Sequence, residues 1–499
     1  MNRTQRIVIV GGGTAGWMAA ALLARFRPAP HAAITLVESD AIGTIGVGEA
    51  TVPLIRQLNG VLGIDEPDFV AATQGTFKLG IEFVDWGSVG NQHFHGFGDH
   101  GEHIGGIAPH HHWLRLHALG LSTPIDEWSM PWAAASRDRF APPEAMKGAG
   151  AAFDYAYHFD AGLYAQLLRR HAERNGVVRL EGRIANVLRD GEQGDVSALR
   201  LDDGREVPGD VFVDCSGFAS LLLGGALGTG FVDWSHWLPC DRAIAVGSAR
   251  AGRFTPFTRS TAHASGWQWR IPLQHRSGNG LVYCSRHLSD DAAAATLLAN
   301  LDGPALGDPR PLRFTTGRRA RFWERNVIGI GLAAGFMEPL ESTSIQLIQT
   351  GLARLVDLLP AGRIDPAVIA EYNRQTIGEY ERIRDFLIAH YCLSHRAEPL
   401  WRACAEMPLP DTLSHKLATW DATARIPLYD LESHAEPSWV AILLGQDRLP
   451  RGHDAAADIP DPVRLRALFD ARRADLARVA DAMPPHDRFI SRTCQAKAA

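Results

Sequence analysis

Closely spaced cysteine pairs are missing from this sequence. No two of its six cysteines are separated by only two residues, the spacing typical of zinc ribbons and redox-active motifs. Their wide separation also gives no sign of the disulfide framework of small secreted domains. The sequence therefore predicts neither a structural zinc site nor a disulfide scaffold, and it favours a reducing, cytoplasmic environment. The six residues are Cys215, Cys240, Cys284, Cys392, Cys404 and Cys494.

The chain also lacks long hydrophobic runs and an excess of positive charge. No stretch reaches the ~18 consecutive apolar residues of a membrane-spanning helix, and the first residues leave no room for the apolar region of a signal peptide. The 50 Lys and Arg residues are outnumbered by 56 Asp and Glu residues, which gives a net charge of -6. Because the basic residues are also dispersed, we expect neither a nucleic-acid partner nor membrane association.

What the sequence does contain is enough apolar material for a large core, since 46% of its 499 residues are hydrophobic. Near the N-terminus a β-branched run at 6–10 leads into Gly11-Gly12-Gly13-Thr14-Ala15-Gly16. Residues 17–25 are rich in Ala and Leu, as in a helix, and a second apolar run at 33–37 ends in Glu38. This order predicts a β-α-β unit opening a doubly wound sheet.

The glycine turn predicts a dinucleotide cofactor. Glycine lets the backbone approach a pyrophosphate closely, and the start of the following helix presents unpaired N–H groups to the anion. Glu38 ends the second strand, where an acidic residue binds a ribose hydroxyl. The motif alone does not distinguish NAD from FAD.

Three later segments favour FAD. Residues 46–53 (GVGEATVP) form a second glycine segment soon after Glu38, where flavoproteins route a strap past the isoalloxazine ring. Residues 211–217 (VFVDCSG) are similar to a strand-to-glycine element of FAD hydroxylases. Residues 331–339 (GLAAGFMEP) lie where those hydroxylases carry an aspartate for the ribityl chain, but Leu332 replaces it. That departure argues against a standard hydroxylase.

The last third of the sequence is predicted to be mainly helical. Apolar residues recur with helical periodicity over 345–359, 371–391 and 462–482. Strands are predicted within 177–201, with a turn at 190–191, and over 327–331. The chain therefore combines an α/β part with a helical part.

Several motifs in order along the chain resemble the flavin-dependent tryptophan halogenases: residues 11–17 (GGGTAGW), 46–53, 77–80 (FKLG), 266–272 (GWQWRIP) and 339–344 (PLESTS). The resemblance implies an α/β fold with a doubly wound, Rossmann-like FAD-binding module with mixed sheets and a mainly helical substrate module. We expect the first to comprise residues 1–110 and 150–345, and the second 111–149 and 346–499. The cofactor-binding residues implied are Gly11, Gly12, Gly13, Thr14, Ala15, Gly16, Glu38, Ala41, Thr44, Gly46, Glu49, Ala50, Val187, Leu332 and Ile345.

The resemblance also implies the chemistry. An FADH2-dependent halogenase uses reduced FAD, O2 and chloride or bromide to form hypohalous acid, which reaches a lysine that activates it for attack on an aromatic carbon. Lys78 matches that lysine, and it lies in an apolar stretch where an ammonium is costly. Glu341 matches the base that stabilises the cationic ring and accepts its proton.

Further positions follow from the same motifs. The backbone of Thr343 and Ser344, at a predicted helix start, is the expected halide site, and these residues with Ser342 are predicted to cap the helix. Trp267 and Trp269 alternate on a strand, which places both rings on one face, where they separate the flavin from the organic substrate. With Ser342 they are the expected tunnel and gating residues.

The aromatic substrate is expected between His95, Phe97 and Trp439, by resemblance to the family's substrate pocket. Enzymes for free tryptophan also carry a pair of tyrosines and a glutamate there, whereas only Tyr429 is evident here. We therefore expect an indole-type or larger aromatic. The histidine-rich stretch 93–117 matches no zinc spacing, so no metal site is predicted.

Two alternatives stay open from the sequence. One is an FAD-dependent aromatic monooxygenase of related fold, which does not explain Lys78, Glu341 or the tryptophan pair. The other is a flavin-binding protein without turnover, which the presence of Lys78 and Glu341 disfavours. The resemblance also implies a separate NADH-dependent flavin reductase as a partner, and it leaves association into a homodimer open.

Overall fold

The architecture comes from a computed structural model, which describes residues 4–42, 48–146, 153–191, 194–250, 252 and 254–497. The strands are β1 (Gln5–Val10), β2 (Ala32–Glu38), β3 (Gly48–Ala50), β4 (Thr76–Lys78), β5 (Gly80–Val84), β6 (Gln92–Gly96), β7 (Ala156–Asp160), β8 (Val178–Glu181), β9 (Ile184–Arg189), β10 (Val196–Leu201), β11 (Glu206–Pro208), β12 (Val211–Asp214), β13 (Phe231–Asp233), β14 (Arg242–Ser248), β15 (Thr258–His263), β16 (Gly266–Pro272), β17 (Ser277–Tyr283), β18 (Arg310–Arg313), β19 (Gly317–Arg319), β20 (Trp323–Glu324), β21 (Val327–Gly329) and β22 (Gly335–Phe336). The α-helices are α1 (Thr14–Phe26), α2 (Leu54–Leu62), α3 (Glu66–Ala72), α4 (Pro109–Ala118), α5 (Met130–Ala135), α6 (Ala161–Arg174), α7 (Asp290–Ala299), α8 (Thr343–Leu358), α9 (Pro366–Cys392), α10 (Pro399–Glu406), α11 (Asp411–Thr423), α12 (Glu436–Gly445), α13 (Pro462–Ala482) and α14 (His486–Thr493).

A six-stranded sheet in the order β20-β21-β12-β1-β2-β8 holds the glycine turn. β1 pairs in parallel with β12 and β2, and Val10 lies opposite both Asp214 and Val37. The turn therefore projects from the carboxyl end of the sheet, where ligands of open α/β sheets bind. Helix α1 packs behind it through a continuous run of buried small and apolar residues. The predicted β-α-β unit is confirmed.

A seven-stranded sheet in the order β18-β14-β17-β16-β15-β5-β6 carries the tryptophan pair and His95. β16 lies between β15 and β17 in antiparallel register, so Trp267 faces Ala262 and Val282 across the two ladders. Lys78 ends β4 in a separate three-stranded sheet, immediately before the chain enters β5. This short link brings Lys78 close to the edge of the larger sheet.

Beyond residue 342 the elements of the described chain are helices, as the periodicity predicts. α13 has the predicted bounds, whereas α9 begins at Pro366, five residues before the predicted start, because Asp365 caps it with its side chain. The strand predicted over 327–331 ends at Gly329, since Gly331 adopts φ +67° and starts a tight helical turn. The mixed α/β fold is thus as predicted. In the described parts of the chain no helix is both long and apolar enough to cross a membrane.

Candidate active site

The glycine turn between β1 and α1 has two glycines fixed by packing and one that faces open space. A Cβ atom on Gly11, whose φ is +104°, would lie 2.4 Å from the Cys215 carbonyl oxygen. A Cβ atom on Gly16 would lie 1.8 Å from the Gly11 carbonyl oxygen. Gly13 meets nothing within 4 Å, and among the described residues no side chain caps the start of α1 behind it. The open space and the free N–H groups fit a pyrophosphate.

Glu38 lies against this turn, as expected for a ribose-binding acid. A Cβ atom on Gly12 would come within 1.3 Å of the Glu38 carboxylate, so the side chain folds directly over the turn. Arg179 Nε donates a hydrogen bond of 2.5 Å to the same carboxylate, and Arg169 lies 3.7 Å away. The acid is therefore partly neutralised, which suits a site beside a bound anion.

The other predicted cofactor residues are spread over several elements of the fold. Ala41 is exposed just beyond β2, Glu49 and Ala50 lie on β3, and Leu332 is 37% exposed in the turn after β21. Ile345 is buried in the first turn of α8. Val187 lies on β9 and packs against a separate apolar cluster that includes β1 and β10. Thr44 and Gly46 lie outside the described residues.

Lys78 is fully buried and is held by two oxygen atoms. Its Nζ donates hydrogen bonds of 2.8 Å to Ser342 Oγ and 3.0 Å to the Thr51 carbonyl oxygen. The Phe97 ring centroid lies 5.1 Å from the same nitrogen. Burial lowers the pKa of the Lys78 amine to about 7, although the charge of Glu341 acts in the opposite direction. A substantial fraction of the amine is therefore neutral at neutral pH.

Glu341 lies beside Ser342 and is buried between two histidines. His95 Nδ1 is 2.9 Å from Glu341 Oε2, and His390 Nε2 is 2.8 Å from Glu341 Oε1. Burial alone would raise the pKa of Glu341, but the two histidines hold it well below its usual range. His390 was not singled out from the sequence; the only signal is a histidine within the buried run 383–391 of α9.

Ser342 differs from its predicted role as a helix cap. α8 begins at Thr343, two residues before the predicted start, and Ser342 adopts the left-handed conformation with φ 60° and ψ 31°. Its hydroxyl accepts the Lys78 hydrogen bond instead of capping the helix. The first N–H groups of α8, at Thr343 and Ser344, are therefore free of a side-chain cap within the described structure.

The two tryptophans of β16 have different environments. Their ring centroids are 6.0 Å apart, but Trp267 is fully buried and Trp269 is half-buried. Trp267 Nε1 donates a hydrogen bond of 2.7 Å to Glu338 Oε2, which also accepts one of 2.5 Å from the Tyr391 hydroxyl. Burial raises the pKa of Glu338 to about 7, against the effect of these two hydrogen bonds. Trp267 thus ties β16 to the segment that carries Glu341.

The three expected substrate residues do not form one exposed wall. Phe97 is half-buried beside Lys78, whereas His95 is buried against Glu341. Trp439 is fully buried, and its Nε1 donates to Glu432 Oε1 at 3.3 Å.

Three histidines from the histidine-rich stretch bond to separate backbone groups. His110 pairs with the Ala424 carbonyl oxygen, His112 with that of Ile104, and His111 accepts from the Asp454 N–H. The described chain contains no group of three or more candidate ligands placed to hold a metal ion.

Comparisons with known proteins identify the family of this chain. Residues 6–462 match the tryptophan halogenase family. The chain is 36% identical over 437 residues to tryptophan 7-halogenase KtzQ of Kutzneria sp. (strain 744), covering 83% of this chain and 81% of that protein. Among solved structures, Xcc4156, a flavin-dependent halogenase from Xanthomonas campestris, superposes with a TM-score of 0.95 at 46% identity and full coverage of both chains. BrvH, a flavin-dependent halogenase from Brevundimonas sp. BAL3, gives a TM-score of 0.94 at 47% identity, covering 99% of this chain and 100% of that one. The chain therefore belongs to the tryptophan halogenase family and is an FADH2-dependent halogenating enzyme.

Proposed function

We propose that this enzyme places chloride or bromide on an electron-rich, indole-type aromatic, with Lys78 delivering the halogen and Glu341 removing the ring proton. One observation carries the proposal: the buried amine of Lys78 is bonded to Ser342, the residue that follows the buried carboxylate of Glu341. A halogen donor and a proton acceptor are thereby held next to one another in a site shielded from water.

The glycine turn, Glu38 and the start of α8 would hold FAD and the halide. When bound, reduced FAD would supply the redox chemistry that uses O2 to oxidise the halide to hypohalous acid. The open space at Gly13 suits the pyrophosphate, and the uncapped N–H groups of Thr343 and Ser344 suit a halide ion. Ile345, Leu332, Glu49 and Ala50 are the further cofactor contacts we propose.

Lys78 is suited to hold and activate hypohalous acid. Because burial lowers its pKa to about 7, the amine changes protonation state near neutral pH and can donate or accept a hydrogen bond. Phe97 covers the approach to this nitrogen. The aromatic carbon attacks the halogen, the bond between halogen and oxygen breaks, and the departing hydroxide takes a proton from the ammonium form of Lys78 to form water.

Glu341 completes the substitution. The attacked ring carries a positive charge, which an ionised carboxylate stabilises. The ring C–H bond then breaks, its electron pair restores the aromatic ring, and the proton moves to a Glu341 oxygen. The low pKa of Glu341 keeps the group ionised and ready for this step.

The charges near Trp439 support a substrate without free amino and carboxyl groups. Lys416 and Glu432 are buried and form an ion pair of 3.0 Å. Lys416 Nζ also lies 4.5 Å from the Trp439 ring, and Tyr429 bonds to His415 and to the Thr412 carbonyl oxygen. Since these groups satisfy one another, a zwitterion would have to break a buried ion pair. We therefore favour indole or an indole attached to a larger molecule.

The site would lie between the two proposed modules. Lys78 and Glu341 fall in residues 1–110 and 150–345, whereas Trp439 falls in the helical part. A separate NADH-dependent flavin reductase is the partner that we propose for supplying reduced FAD.

The test is incubation with FAD, a flavin reductase, NADH, bromide and indole, followed by mass spectrometry. We expect bromoindole from the native enzyme, loss of about 100-fold or more of the activity in Lys78→Ala and Glu341→Gln, and native activity in the exposed control Lys497→Ala. Parallel reactions with free tryptophan and chloride define substrate and halide. Hydroxyindole, or no halogenated product from any aromatic tried, contradicts the proposal.

A further inference from the structure

The strand that carries Lys78 lies at the edge of its sheet. β4 is an outer strand of the three-stranded sheet with the order β3-β7-β4. Phe77, the residue before Lys78, lies opposite Tyr157 of β7. The Tyr157 N–H and carbonyl groups both bond to Thr51, on the β3 side of β7. The Phe77 N–H therefore points away from the sheet and needs an acceptor from another part of the chain.

His486, the first residue of α14, supplies this acceptor. The Phe77 N–H donates a hydrogen bond of 3.2 Å to His486 Nε2. The other ring nitrogen, Nδ1, is 2.9 Å from the Phe254 carbonyl oxygen, which can only accept, so Nδ1 carries the hydrogen. Burial lowers the pKa of His486 to about 4, so the imidazole is neutral near pH 7 and Nε2 keeps its lone pair. A single neutral tautomer thus satisfies both contacts.

The packing around His486 holds β4 against α14. The histidine is fully buried. The Phe77 ring stacks on Phe140 with centroids 4.1 Å apart, and the ring of Phe489, also on α14, meets it edge-on at 5.2 Å. α14 therefore covers the free edge of β4 one residue before Lys78.

We propose that His486 is a positioning residue that fixes the end of β4, so that the Lys78 amine stays within hydrogen-bonding distance of Ser342 and the Thr51 carbonyl. This inference rests on the proposed role of Lys78 in delivering the halogen. Without the acceptor, the buried Phe77 N–H would lack a partner, and β4 would shift. A displacement of about 1 Å at a reacting group can lower a rate by about 100-fold. Halide oxidation at the flavin does not use Lys78 and should not change.

Two substitutions separate the roles of the two ring nitrogens. The side-chain amide of His486→Gln reaches the position of Nε2 and can offer its oxygen to the Phe77 N–H. His486→Asn is shorter, so its amide reaches only the position of Nδ1, where it keeps a donor for the Phe254 carbonyl but provides no acceptor for Phe77. His110→Asn is the matched control, because His110 of α4 is also a buried histidine bonded to a backbone carbonyl, that of Ala424.

The experiment measures two rates near neutral pH on the FAD-loaded enzyme with its reductase. One is bromoindole formation, and the other is hypobromous acid formed without indole and trapped by monochlorodimedone. We expect the ratio of the first to the second to fall by about 10-fold or more in His486→Asn and to stay close to native in His486→Gln. The trapped hypobromous acid should remain native in both variants. His110→Asn should keep the native ratio, even if its unfolding temperature falls as far as that of His486→Asn.

An unchanged ratio in His486→Asn overturns the inference, as does an equal fall in His486→Gln. If His486→Asn does not fold, hydrogen exchange in the native protein decides. The Phe77 amide should exchange as slowly as the bonded amides of β7, and exchange at the rate of an exposed amide would mean that His486 does not hold this strand.

Failure of the proposed function has a different signature. The native enzyme would then yield no bromoindole, or Lys78→Ala would retain full activity. Inactivity of Lys78→Ala together with an unchanged ratio in His486→Asn would reject only the role of His486.

Discussion

At the scale of single residues, Lys78 and Glu341 are both buried, but their surroundings favour the neutral amine in one case and the ionised carboxylate in the other. Both side chains are almost fully buried. Among the described residues, the hydrogen-bond partners of Lys78 are neutral oxygens, so desolvation dominates and lowers its pKa to about 7. Glu341 has two histidines as direct partners, which outweigh desolvation. A partly neutral amine and an ionised carboxylate can therefore coexist in one buried site.

The lowered pKa of Lys78 predicts a pH-dependent stability difference for Lys78→Met. Between pH 7 and pH 10 the unfolded chain keeps its Lys78 proton while the folded protein has lost it. The native protein should therefore gain about 1.4 kcal/mol of unfolding free energy per pH unit, relative to Lys78→Met, over that range.

Urea unfolding of both proteins at pH 7, 8 and 9 measures this difference. Below pH 7 the difference should level off, because Lys78 is then protonated in both states. A constant difference from pH 7 to pH 9 would show that the amine remains charged in the folded protein. Lys497→Met, at an exposed position, is the control.

At the scale of elements, the sequence could predict units whose residues are close along the chain. The β-α-β unit and α13 follow from apolar periodicity and glycine positions, because those signals depend on local backbone geometry. The contact of His390 could not be predicted, since it is made with Glu341, 49 positions earlier in the chain, and depends on the packing of α9. The role of Ser342 also depended on a distant residue: its local sequence is typical of a cap, but Lys78 uses the hydroxyl.

The packing of the glycine turn predicts different outcomes for Gly13→Ala and Gly16→Ala, with Gly60→Ala on α2 as the control. Gly13→Ala fills open space in an allowed conformation, so stability should be native while FAD binding weakens by about 10-fold or more. Gly16→Ala brings a Cβ onto the Gly11 carbonyl and should lower the unfolding free energy by about 2 kcal/mol or more. Gly60→Ala, at an exposed position of α2 where no described atom lies within 4 Å of the added Cβ, should change neither property adversely.

FAD titration by fluorescence and thermal unfolding of the FAD-free proteins separate these effects. Native FAD affinity in Gly13→Ala would mean that the pyrophosphate does not lie over this glycine.

The bond between Trp267 and Glu338 predicts that the two tryptophans of β16 are not equivalent. Trp267→Phe removes a buried donor from Glu338 and should lower the unfolding free energy by about 1–3 kcal/mol. Trp269→Phe, in the same strand but half-buried, should cost less. Halogenation should fall more in Trp267→Phe, because Glu338 begins the segment that positions Glu341. Equal losses in the two variants would mean that the tryptophans act only as packing.

At the scale of the whole molecule, the site is assembled from distant parts of one core. Lys78 comes from β4, Glu341 from the turn before α8 and His390 from α9. The largest apolar cluster runs from Ile7 in β1 to Cys494 after α14, so both proposed modules share it. Motifs along the sequence could name Lys78 and Glu341, but only the shared core brings His390 to them.

The same assembly predicts how electrons reach the flavin. The glycine turn of β1 and α1 provides one site for a dinucleotide, and the proposed ligand of that site is FAD itself. Hydride transfer would require a nicotinamide held against the flavin ring, and the sequence provides no segment assigned to that task.

When NADH is added anaerobically to the FAD-loaded enzyme, the oxidised-flavin absorbance should therefore persist, whereas dithionite should bleach it. A catalytic amount of flavin reductase should then bleach the flavin with NADH, and air with bromide and indole should yield bromoindole. Bleaching by NADH alone at the rate of turnover would instead mean that the enzyme contains its own nicotinamide site, and the separate reductase would be unnecessary.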